Sequence, residues 1–134
     1  MKIPNIQKLY YSPVKSLSFC NTSRLFISKD IGIKNDRIFA FTRIIKKNES
    51  IKYQNIPNER KLNCFLTLKN SPFLNKYNFY LDKKYLYFYL SNKLINKIIL
   101  NNENEYQSFS DELMDREKSI KQTPYLIYNP KNPF

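Results

Sequence analysis

Apolar and polar residues alternate along the first two-thirds of the chain, and a period of two predicts strands. KLYYSPV reads as an opening strand, stopped at Pro13, which has no N–H to give a ladder. In RLFISKDIGI, Leu25 and Ile27 fall on one face and Phe26 and Ser28 on the other, until Asp30 and Gly32 mark a turn or bulge. DRIFAFTRII is a third strand, with Ile38 and Ala40 opposing Phe39 and Phe41, and KKNES behind it reads as a polar turn. CFLTLKN is a fourth strand, ended by Ser71–Pro72. KYNFYLDKKYLYFYLSNK has the form of a hairpin with Asp82–Lys83–Lys84 at its tip, and KIILNN is one more short strand.

The period changes near residue 106. SFSDELMDREKSIKQ predicts a helix over about 109–121, with Ser110 as N-cap and acidic residues in the first turn. Glu112–Arg116 and Glu117–Lys121 stand at i,i+4 spacing, and Phe109, Leu113 and Ile120 form an apolar stripe. TPYLIYNPKNPF then reads as a strand with a Pro/Asn-rich exit. The fold class is mainly β (α+β): a small β-barrel of about six to seven strands with one C-terminal helix. No internal repeat is present.

Composition sharpens this in three places. At 42% hydrophobic and 16% aromatic, the 134-residue chain is too apolar for disorder and fits one domain. A single glycine rules out P-loop and dinucleotide fingerprints and leaves tight turns to Asn, Asp and Pro. The net charge of +12 suits a polyanionic partner, but lysine supplies most of it alongside abundant Asn, Ile and Tyr, a bias that AT-rich codons also produce. Charge alone is therefore a weak argument for nucleic acid.

The absence of histidine excludes the common His-containing zinc sites, and two cysteines, Cys20 and Cys64, cannot alone close a tetrahedral one. The thiols are expected to be reduced, small buried hydrophobes in a cytoplasmic protein. The leading MKIPNIQKLYYSPVK shows neither a continuous apolar segment nor a small-residue cleavage site, and no apolar run is long enough to span a membrane.

Three segments carry the chemistry: YSPVKSL (Tyr11 to Leu17), GIKNDRIFAF (Gly32 to Phe41) and FLTLKNSPFL (Phe65 to Leu74). In this order and spacing they resemble the N-terminal β-barrel domain of MOSC proteins, the molybdenum cofactor sulfurase C-terminal family. That family shows Y-P-[VI]-K-S, then G-[LI]-x-x-D-R before an apolar strand, then F-L-T-x-R-x-x-P-x-L. The resemblance covers most of residues 7–75. Two positions depart from it: Ser12 stands before Pro13 where the family places tyrosine, and Lys69 replaces an arginine. Lys69 keeps the charge without the planar fork and is given no ligand role.

The resemblance implies a barrel domain over 1–123, with 124–134 starting a linker or strand into a MOSC core that this truncated chain lacks. Relatives of this kind include the amidoxime-reducing component of mitochondria, bacterial proteins that process N-hydroxylated compounds, and the C-terminal part of the cofactor sulfurase. The implied cofactor is the molybdenum cofactor, molybdopterin, shared with a core domain in cis whose cysteine ligates molybdenum or carries sulfur. An electron-transfer partner would serve the oxidoreductase members. Lys15 and Ser16 of PVKS and Arg37 of NDR correspond to cofactor-contacting positions. Lys15 suits a point charge on phosphate, Ser16 a hydroxyl donor beside it, and Arg37 a fork for two anionic oxygens. Asp36 suits the orienting of Arg37 or its loop. Neither cysteine matches that of the core, so no catalytic residue and no metal ligand is assigned, and the chain alone is not expected to catalyse.

Plainer readings stand beside these. Lys15 is also a strand-end lysine able to snorkel into water, and Asp36–Arg37 a surface pair. The run YLYFYL suits a core strand or partner interface better than a stacking platform for bases. The alternatives to a MOSC domain are a stand-alone basic barrel binding single-stranded nucleic acid and a non-catalytic partner-binding module.

Overall fold

The hairpin expected from KYNFYLDKKYLYFYLSNK is the backbone of the largest sheet. In a computed structural model describing residues 3–17 and 19–134, β6 (Tyr77–Leu81), β7 (Tyr85–Leu90) and β8 (Lys93–Ile99) form an antiparallel three-stranded sheet. Met1 and Lys2, which head the stretch read as carrying no leader, and Ser18 lie outside the described residues. The register pairs Phe79 with Phe88 and Leu86 with Ile98, so Phe79, Leu81, Leu86, Phe88 and Ile98 all face the core. Tyr80 and Tyr87 pair on the opposite face, ring centroids 5.9 Å apart. The tip is fixed by Asp82, whose carboxylate accepts the N–H groups of Lys84 and Tyr85 at 2.8 and 2.7 Å. Those bonds hold its pKa below the ordinary carboxylate value.

The remaining strands are short: β1 (Leu9–Tyr11) with β2 (Cys20–Thr22), β3 (Ile27–Ser28) with β4 (Gly32–Ile33), and β5 (Phe39–Phe41) with β9 (Leu126–Tyr128), each pair antiparallel. The fold is α+β. Among the described residues these pieces do not close into a barrel, because closure requires each strand to pair along both edges. Among the described residues, what this stretch meets beyond β9 are isolated bridges, Val14 to Phe39 and, just past the strand, Thr42 to Phe65.

Three local expectations change. KKNES opens a helix, α1 (Lys47–Asn55), rather than a turn; it buries Ser50 and Tyr53 but has no clear apolar stripe to betray it. CFLTLKN is not a strand: Leu62–Cys64 is a 3-10 turn, and Asn70 folds the chain back by accepting the N–H of Thr67 and donating to the carbonyl of Phe65, both at 2.9 Å. Such side-chain bonds compete with a ladder. The late helix, α2 (Glu103–Arg116), starts earlier than predicted, at an Asn102 N-cap, and Ser110 is fully buried in its interior. Glu103 and Glu105 supply the negative charge that favours a helix start. The Glu112–Arg116 pair forms at 3.0 Å. Glu117 does not reach Lys121: it caps the end of α2, buried, where Tyr77 donates to it and Lys76 pairs with it, both at 2.6 Å. Tertiary partners win because a buried carboxylate needs both a counter-charge and a donor.

Two apolar clusters result. The larger joins Phe79, Phe88, Phe109 and Leu113 with Val14, Phe39 and Phe41. The smaller holds Ala40, Ile45, Tyr53, Cys64, Phe65 and Ile127, with Phe134 against it. β5 separates them by alternation, Phe39 and Phe41 entering one and Ala40 the other. Cys20 and Cys64 are both free and buried.

Candidate functional site

The three segments singled out in the sequence meet at β5. Pro13 and Lys15 sandwich its start: Phe39 N–H donates to Pro13 O at 3.0 Å and Lys15 N–H to Phe39 O at 2.8 Å. Arg37 N–H donates to Ser12 O at 2.6 Å. At the other end, Leu66 N–H donates to Phe41 O and Arg43 N–H to Cys64 O, both at 2.8 Å. The C-terminal segment lies along the opposite edge, with Asn129 N–H on Ile38 O at 2.9 Å and Phe134 N–H on Arg37 O at 2.8 Å. Residues 124–134, read as leading out of the domain, thus pair with its central strand through β9.

Asp36 links the first two segments. One carboxylate oxygen accepts the Ser12 N–H at 2.8 Å, and the other accepts Arg37 Nε at 2.9 Å. Arg37 is thereby aimed while its side chain stays 57% exposed, so most of its fork remains open. Arg37 and Ser16 line one cleft of about 420 Å³ together with Ser12, Leu17, Phe19 and Asp36. Both Ser16 and Arg37 hold positive φ, 61° and 51°. Left-handed backbone is unfavourable for any residue with a Cβ, and the surrounding bonds enforce it here.

Lys15 does not line that cleft. Its ammonium lies 5.8 Å from the centre of the Phe65 ring, and that ring packs against Phe134 with centroids 5.8 Å apart. Half-burial and then the positive charges of Arg37 and Arg60 push the Lys15 pKa below the ordinary lysine value. Among the described residues no carboxylate pairs with Lys15. The structure therefore brings Ser16 and Arg37 to one cleft and leaves Lys15 outside its lining, within the field of both arginines.

Arg60 is the residue sequence reasoning missed. It sits outside the three motifs, between two 3-10 turns, Pro57–Glu59 and Leu62–Cys64, where nothing in the local pattern marks it. Its Nε donates to Tyr53 O at 2.8 Å and its Nη1 to Pro133 O at 2.9 Å, and its guanidinium lies 4.0 Å from the centre of the Phe134 ring. Nη2 is buried with no acceptor.

The arrangement suits anion binding. Cations gathered at a half-buried place with too few carboxylates repel one another until an anion arrives. Burial raises the Cys20 thiol to about 11, far from the thiolate a reactive cysteine needs. Among the described residues no three Cys, Asp or Glu side chains gather to hold a metal ion, and no helix is long and apolar enough to cross a membrane. No protein-family model, curated protein or solved structure matches the chain.

Proposed function

We propose that this chain is the N-terminal domain of a MOSC-type molybdenum-cofactor protein, contributing phosphate and pterin contacts through Lys15, Ser16 and Arg37. The observation that carries this reading is the meeting of the three MOSC-like segments on β5, with Lys15 in the field of Arg37. The donors fit the group: an ammonium without a carboxylate, a hydroxyl at the cleft wall and a guanidinium open on one side suit a phosphate monoester. Bound molybdopterin would supply the molybdenum chemistry, with a core domain in cis giving the cysteine and an electron-transfer partner serving any reductive reaction. This chain's part is binding and orientation.

Fluorescence anisotropy of pterins on the 134-residue chain tests it. A pterin bearing a phosphate monoester should bind at least about tenfold tighter than the same pterin without phosphate, since the charge-assisted bonds go to the phosphate. Lys15→Ala with Arg37→Ala should erase that preference. Equal binding of the two pterins by the wild-type chain, or an undiminished preference in the double variant, overturns the proposal.

A further inference from the structure

A second cavity, of about 400 Å³, shares no lining residue with the Ser16–Arg37 cleft. Three segments build it: 43–44 just past β5, 66–73, and 119–122 beyond the end of α2. Named bonds hold these walls in place. Arg43 N–H donates to Cys64 O and Leu66 N–H to Phe41 O, both at 2.8 Å, and Gln122 Nε2 donates to Ile45 O at 3.1 Å. Leu66, Phe73 and Ile120 form the apolar lining, each a member of the larger core cluster or packed against it. Asn70 and Ser71 keep their polar atoms for one another and for the chain: Ser71 Oγ donates to Asn70 Oδ1, which also accepts Thr67 N–H, and Asn70 Nδ2 donates to Phe65 O, all at 2.9 Å.

Every charged residue of this cavity is a cation. Arg43 and Lys121 both line it, no lining residue is acidic, and among the described residues neither pairs with a carboxylate. Arg43 is half-buried, and its Nη1 makes one long bond, 3.5 Å to Asn63 O. Its Nε and Nη2 have no acceptor among the described residues, and both reach solvent, in contrast to the sealed Nη2 of Arg60. Those two nitrogens share one edge of the guanidinium with their N–H bonds side by side, the edge that takes both oxygens of a carboxylate. Ile44, also in the lining, is a β-branched residue at φ 54° and is 54% exposed, so packing in the core does not account for its strain. Strain of that kind gathers where a chain shapes a ligand site. We propose that this cavity binds an organic carboxylate with an apolar body. The acid group takes the Nε–Nη2 edge of Arg43, the body lies against Phe73, Ile120 and Ile44, and the exposed Lys121 adds positive field at the rim. Apolar walls with one charged anchor are the usual make-up of a small-molecule pocket.

The test compares 2-naphthoate with 2-naphthalenemethanol, a neutral ligand of similar shape, by equilibrium dialysis against the full chain. Naphthalene fluorescence reads the bound fraction, and the chain has no tryptophan to obscure it. The wild-type chain should prefer the acid by at least about tenfold, and Arg43→Gln should bring the two within about threefold. Lys121→Glu should cut the preference by at least about threefold at low salt, through charge at the rim. Melting curves establish that each variant is folded at the dialysis temperature. Should Arg43→Gln not fold, Arg43→Lys replaces it: the charge stays, the paired N–H edge goes, and the preference becomes intermediate. Equal binding of acid and alcohol by the wild-type chain, or an unchanged preference in any folded variant of Arg43 or Lys121, overturns the proposal. Lys15→Ala with Arg37→Ala should bind 2-naphthoate like wild type, whatever that double variant does to pterins. If it loses the preference instead, the acid sits in the Ser16–Arg37 cleft and the proposal falls.

Discussion

The β6–β7–β8 sheet with α2 and the β5 junction are built on different physical terms. In the first, side chains do the organising. Phe79 and Phe88 stack with centroids 4.5 Å apart, and Phe109 of α2 closes on Phe88 at 5.0 Å. In the second, irregular segments from four parts of the chain are tied by single backbone bonds, and Ser16, Arg37 and Ile44 hold positive φ. The regular region draws its stability from contacts that any ordered sheet can make. The junction instead spends charge repulsion on placing particular groups, while left-handed backbone occurs in both regions, at Ser91 and Asn92 between β7 and β8 as well as at Ser16, Arg37 and Ile44. Strain of this kind persists only when the surroundings over-determine it.

The largest effect separating the two should come from Phe88→Ala. Emptying the centre of the aromatic stack costs about 3–5 kcal/mol, read as a fall in the urea midpoint. If the two regions are distinct in function, the folded fraction of this variant still prefers phosphorylated pterin. Glu117→Ala comes next. It removes the charge-assisted bond from the Tyr77 hydroxyl and the ion pair with Lys76, at a cost of about 1.5–3 kcal/mol by chemical denaturation.

Substitutions in the junction should move the other way. Ile44→Asn removes a β-branched residue from φ 54° at an exposed position and should stabilise by about 1 kcal/mol. Ser16→Gly should stabilise by a similar amount, about 1 kcal/mol, yet weaken anion binding because the hydroxyl is lost. A Ser16→Gly chain that gains stability and binds phosphopterin as well as wild type would remove Ser16 from the site.

The smallest effect is a slope. The folded Lys15 pKa is lowered from 10.5, so between its folded and unfolded values the unfolded chain holds more protons, and stability rises with pH across that window. Lys15→Met should abolish that rise. Tyr11, whose pKa burial raises to about 12, works oppositely above pH 10, because the folded state resists its ionisation. The difference between wild type and Lys15→Met isolates the lysine, since Tyr11 is common to both.

The regular region was legible in the sequence because one buried face gives a strict period of two, as in Tyr77, Phe79 and Leu81, and because Asp82 marks the turn. In the junction β5 and its two faces were legible, but not that both are buried: Phe39 and Phe41 meet one cluster and Ala40 the other. Pairing of Val14 and Phe65 with β5 depends on distant residues that no local window contains, so strand-like segments were read as members of a barrel. Helix α1 was missed because its burial rests on Ser50 and Tyr53, and the start of α2 because Glu105 anchors it through the N–H of Ile99 at 2.7 Å. Arg60 belongs with these. Its meaning comes entirely from Tyr53, Pro133 and Phe134, each remote or unremarkable in sequence.

The two buried thiols fall on opposite sides of this divide. Cys20 donates to Phe79 O of the aromatic sheet at 2.7 Å, whereas Cys64 sits among Tyr53, Phe65 and Ile127 beneath the junction. Each region thus carries its own chemical clock: the rate at which an alkylating reagent reaches one sulfur or the other times the local opening of that half, without any engineered label.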